Sequence, residues 1–192
     1  MPENPALEAH EHLEHAEHAS EEHNPLISRI ALTVAALAVL AAGAGSLETM
    51  EGEGSLGATS EAVLMQDRAT DTWNEFQADS IKKHIYTVAG RNAPAGGADG
   101  DYYKKQAKEY GETQNKLKDA AADKEKERDN LLKESAHHEE RHKWLTGSAT
   151  MFEIGIALST VAIITRKTYL WFGALGLGAI GLGLLIYTYT GV

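Results

Sequence analysis

Apolar and polar positions are segregated along this chain rather than interleaved. Charge is concentrated in residues 1–29 and 48–149, while residues 30–47, 154–165 and 168–192 are almost free of it. The run IALTVAALAVLAAGAGSL, ending at Leu47, holds 18 uncharged residues, and with its flanks it is long enough to cross about 30 Å of hydrocarbon as a helix. The pattern predicts transmembrane helices over 26–47, 148–166 and 168–190, with an extramembrane segment over 48–147 and an acidic tail or short helix over 1–25. The expected fold is an all-α membrane protein: three transmembrane helices, with a long antiparallel helical hairpin inserted between the first and second.

Within the middle segment, Gly52, Gly54 and Gly57 are expected to loosen the chain ahead of a helix from about Ser60 to Val88, because glycine is a poor helix former. Met65, Ala69, Trp73, Phe76, Ile81, Ile85 and Val88 keep helical spacing there and are the expected buried face. GRNAPAGGADGD, residues 90–101, is a turn. A charged helix follows from about Tyr102 to Trp144, with Tyr103, Ala107, Tyr110, Leu117, Ala121 and Leu131 on a heptad seam interrupted by Gln114, Lys124 and Arg128. A seam this polar is too weak to stand alone, so Trp73, Phe76, Tyr103 and Tyr110 are the expected partner interface.

Small residues recur in the apolar runs. Ala31, Ala35, Ala38 and Ala42 form one stripe, Gly155 and Ser159 a second, and Gly178 and Gly181 a third; such stripes let helices approach closely in lipid. Trp144, Tyr169, Trp171, Tyr187 and Tyr189 fall near the ends of the runs, where aromatic belts form. Glu153 is the one intramembrane ionisable residue. It lies close enough to its helix start to reach the interface, or it contacts a proton or a partner. Arg29 before the first run, and Arg166 with Lys167 between the last two, favour a cytoplasmic N-terminus and a periplasmic hairpin; Arg141 and Lys143 argue the other way.

Charge and composition narrow the function. A net charge of -10, with every Lys-rich stretch interleaved with acids, argues against nucleic acid. Cysteine is absent, which removes disulfides and thiolate metal sites. The residues ahead of the first apolar run are acidic and His-rich rather than basic, so that run is expected to stay in the mature protein. No phosphate loop, nucleophile elbow or dinucleotide fingerprint is present, and no small-molecule substrate is indicated.

The stretch Ala69–Ile85, with Trp73, Phe76, Gln77, Ala78, Ser80, Ile81 and Lys82, stands beside His137, His138, Arg141 and His142 and the Arg166-Lys167 pair. In these elements nearly the whole chain resembles a bacterial family of three-span membrane proteins known only as a domain of unknown function. The resemblance implies the same three-span plan in a bacterial inner membrane and implies no activity or catalytic residue.

Two His clusters carry candidate chemistry. His138-Glu139-Glu140-Arg141-His142 reads as HExxH, in which two His one helical turn apart bind zinc and the Glu acts as general base. Charged residues fill its middle and no third ligand stands nearby, so a zinc metallopeptidase is a remote reading. Residues 1–24 hold seven acids and five His, with His15 and His18 placed to share a divalent ion or to change charge with pH. No resident cofactor is expected; a divalent metal at His138, His142, His15 and His18 is the exception weighed. The expected function is a non-enzymatic membrane scaffold or accessory subunit that forms homo-oligomers or joins a larger membrane complex. The alternative is a metal- or pH-responsive membrane sensor.

Overall fold

A computed structural model describes residues 25–94 and 97–191. They form three helices: α1 Pro25–Asn92, α2 Ala98–Thr165 and α3 Thr168–Thr190. All three are long enough and apolar enough over part of their length to cross a membrane. The expected break at Gly52, Gly54 and Gly57 does not exist, and α1 passes through all three. Likewise the predicted helix ending near Trp144 and the predicted span from residue 148 are one helix, α2. Glycine lowers helix stability by roughly 1 kcal/mol relative to alanine, a preference that tertiary contacts override.

Residues 56–135 form one compact unit. On its α1 segment the buried positions are Ala58, Ala62, Met65, Ala69, Thr72 and Asp79, with Phe76 half-buried. They are separated by four and three residues in alternation, the spacing that keeps one stripe of a helix facing a neighbour. On α2 the same alternation selects Tyr103, Ala107, Tyr110, Gln114, Leu117, Ala121, Lys124, Arg128, Leu131 and Ser135, all buried or half-buried. Side-chain bonds fix the antiparallel register. Thr59 and Ser135 share a hydrogen bond of 2.7 Å, and Arg128 donates to the Gln66 side-chain oxygen. Lys124 Nζ donates to Thr72 Oγ1 at 2.6 Å, Trp73 Nε1 to Glu125 Oε1 at 2.8 Å, and Lys83 Nζ to Gln114 Oε1 at 3.3 Å. Each such bond contributes only about 0.5–1.5 kcal/mol net, yet leaving a partner unpaired costs more, so these bonds specify register.

The expected face of α1 agrees with the structure through Met65, Ala69, Trp73 and Phe76, the last two half-buried, and fails beyond them. Ile81, Ile85 and Val88 are exposed, because the alternation set by Ala62, Met65 and Ala69 continues through Thr72, Phe76 and Asp79, two residues out of step with the isoleucines. Asp79 is buried there and accepts from Lys82 Nζ at 3.0 Å.

The second unit joins the described part of residues 1–55 to residues 136–191. Its core is Val34, Leu37, Ala38 and Ala44 of α1 with Ala149, Phe152 and Ile156 of α2. Small residues let α3 close on this pair. A Cβ on Gly178 would lie 2.7 Å from Leu37 Cδ2, and one on Gly181 would lie 2.9 Å from Phe152 Cε1 and 3.1 Å from the Ser148 carbonyl oxygen. The buried Ser148 hydroxyl donates to the Gly181 carbonyl at 2.8 Å. Gly155 lies against Leu37 and the Ala174 carbonyl, and Ser159 is fully buried. Of the alanine stripe, Ala31 and Ala38 are buried while Ala35 and Ala42 are half-buried. Trp171 Nε1 donates to Thr33 Oγ1 at 3.0 Å, tying the start of α3 to α1. The turn into α3 places Arg166 at φ 55°, a left-handed residue ending α2.

Gly181→Ala should destabilise this packing by about 1–3 kcal/mol, since the Ser148 backbone cannot yield as a side chain can. Gly183→Ala, whose Cβ would meet nothing within 4 Å, should be neutral or slightly stabilising. Thermal unfolding in detergent, followed by circular dichroism, checks the pair.

Candidate functional site

Among the described residues, ionisable groups of α1 and α2 pair with one another where the two helices leave their apolar segments. Glu48 and Glu51 sit three apart on α1 and face His138, Arg141 and His142 of α2, which share one helical face through spacings of three and four. His138 Nδ1 is 2.5 Å from Glu51 Oε2. Arg141 Nη1 lies 3.7 Å from Glu51 Oε1, so both oxygens of this carboxylate are engaged. Its side chain is 12% exposed, the most buried carboxylate of the group. His142 Nε2 lies 4.0 Å from Glu48 Oε1, and the Thr146 hydroxyl donates to the same oxygen at 2.6 Å. The Arg141 guanidinium also sits over the Tyr189 ring, 5.6 Å from its centroid, and its Nε is buried without a hydrogen-bond partner. Trp144 and Tyr187 pack edge to face beside it at 4.9 Å.

Two glycines make room for the imidazoles. A Cβ on Gly52 would lie 2.9 Å from His142 Cδ2, and one on Gly54 would lie 3.0 Å from His138 Nδ1. The glycines that read as a loosened linker are instead the recesses into which the two His rings fit. Gly57 is different, since a Cβ there would meet nothing within 4 Å.

This geometry bears on the HExxH string. His138 and His142 meet different carboxylates rather than converging on one point. Glu139 is turned outward, 59% exposed, and bound to Lys143 Nζ at 2.8 Å; that hydrogen bond and the lysine's charge hold its carboxyl below the usual range, which makes it a weaker base. Among the described residues no group of three or more His, Asp or Glu side chains is placed to hold a metal ion. His15 and His18 lie outside the described residues. Glu153 is exposed on α2.

The expected partner interface is largely engaged within the hairpin. Trp73 packs edge to face on Phe76 at 5.3 Å besides bonding Glu125, and Tyr86 stacks on Tyr110 at 5.7 Å and lies 6.2 Å from Tyr103. Glu48, Glu51 and Thr146 were not singled out from sequence, and Gly52 and Gly54 were given another role. The signal was present, because Ala44, Glu48, Glu51, Ser55 and Ala58 continue the alternation of four and three without a break.

A family model described as Domain of unknown function (DUF4337) matches residues 26–191. No curated protein and no solved structure matches the chain.

Gly57→Ala should raise stability by roughly 0.5–1 kcal/mol, the ordinary gain at an exposed helical position. Gly52→Ala and Gly54→Ala should lose that gain and fall below the parent, because each displaces an imidazole from its glutamate. Melting curves of the three single variants, recorded side by side, decide this.

Proposed function

The chain belongs to the family described as Domain of unknown function (DUF4337), and from that premise we propose that it is a non-enzymatic membrane scaffold or accessory subunit acting through helix association. In this reading the three apolar segments anchor it in a bacterial inner membrane, with the N-terminus cytoplasmic and the hairpin periplasmic. The hairpin is an antiparallel coiled-coil-like arm that meets a second copy or another membrane complex.

One observation carries this reading. Inward positions hold alanines and hydrogen-bonded polar residues, while Leu56, Val63, Leu64 and Leu132 stay outside. A lone soluble hairpin gains nothing from leaving such residues in water, whereas an association surface uses them.

A metal- or pH-responsive sensor is the second reading, supported by the placement of His138 against Glu51 and His142 against Glu48. Protonation would turn each contact into an ion pair and change the net charge where α1 meets α2. A zinc metallopeptidase through His138-Glu139-x-x-His142 has little support, given the outward pairing of Glu139 with Lys143.

Native mass measurement after gentle extraction should find a mass above that of one chain, as an oligomer or with bound partners. A stable monomer with nothing attached would contradict the scaffold. Repeating the measurement at about pH 6 and pH 8, with and without chelator, tests the sensor reading: association that is the same under all conditions would sink it.

A further inference from the structure

The connected end of the hairpin differs from the rest of its unit in both charge and surface. Residues 80–110 contain six Lys and Arg against three Asp and Glu. The flanking parts of the same unit, 56–79 and 111–135, contain twelve acids against seven bases. This end is thus a cationic patch within a chain whose net charge is -10.

The cations surround an apolar line. Ala78, Ile81, Ile85 and Val88 follow one another at spacings of three and four and are exposed on α1; Ile81 and Ile85, 62% and 59% exposed, border the groove between α1 and α2. Next to them, open crevices of about 480 and 350 Å³ lie between the two helices and share Thr87. Lys83, His84, Arg91 and Lys104 line them, and no carboxylate does. The side chains of Lys104, Lys105 and Lys108 are about three-quarters exposed and loosely held, their nearest acids 3.9–4.0 Å away. A cluster of four tyrosines stands at the same end, and Tyr102 is itself exposed.

We propose that this end of the hairpin docks on the surface of a bilayer containing anionic phospholipid. Exposed aliphatic side chains enter the headgroup boundary, long lysines and arginines reach phosphate and carboxylate headgroups, and tyrosines sit at the polar–apolar border. Cations distributed over both helices on flexible stems suit a surface of many charges. An acidic helix would instead need a fixed seat with point-to-point partners, and the open crevices between these helices supply none. The proposal goes beyond the scaffold reading, because it names a lipid surface rather than a protein as the partner.

The test uses the full chain held in nanodiscs of phosphatidylcholine, mixed with vesicles of phosphatidylcholine alone or with added phosphatidylserine, and separated by flotation. Recruitment to the phosphatidylserine vesicles only, falling as salt is raised, is expected. Arg91→Glu/Lys104→Glu/Lys108→Glu should weaken it at least roughly tenfold, and Ile81→Asp/Ile85→Asp should also weaken it, while Lys116→Glu/Lys118→Glu/Lys126→Glu should not. All these positions are exposed, so circular dichroism should find the helices intact. Equal recruitment to both vesicles, none to either, or recruitment indifferent to the substitutions at this end would overturn the proposal. An acidic protein partner would appear as the absence of vesicle recruitment.

Discussion

The alternation of three and four residues decides which side chains of α1 and α2 meet. In the unit of residues 56–135 it brings alanine, threonine, serine and a few ionisable residues into the seam, and in the other unit it brings Val34, Leu37, Phe152 and Ile156 together. The frame is indifferent to polarity: whatever stands at the inward position must be accommodated. Where that residue is apolar, burial stabilises the pair. Where it is Asp79, Gln114, Glu51 or His138, a hydrogen bond or ion pair has to be found across or along the seam, and one is found in each case.

Glycine has two uses that follow from this frame. At Gly178 and Gly181 it lets α3 approach until Leu37 and Phe152 fill the space a side chain would take. At Gly52 and Gly54 it admits imidazole rings beside glutamates. Both uses accept a penalty in helix propensity in return for close approach, and both differ from the turn-forming role that a local reading assigns.

The long, uncharged runs and the turn near Pro94 were legible in the sequence because length and composition alone identify them. The α2 seam was legible as well, since Tyr103, Tyr110, Leu117 and Leu131 mark it. The face of α1 beyond Phe76 was not. Apolarity alone selects Ile81, Ile85 and Val88, whereas the frame selects Thr72 and Asp79, and only following the spacing forward from Ala58 distinguishes them. The pairing of His138 and His142 with Glu51 and Glu48 was hidden for a related reason. A motif read along one helix carries no information on what the opposite helix presents, so HExxH suggested a metal where the frame supplies carboxylates.

Because the chain has no cysteine, single cysteines placed one at a time from Thr72 to Gly90 report exposure without background. Labelling rates with a water-soluble maleimide test the frame directly. Slow labelling at positions 72, 76, 79 and 86 with fast labelling at 78, 81, 85 and 88 is the predicted pattern. Slow labelling at 81, 85 and 88 with fast labelling at 72 and 79 would contradict it.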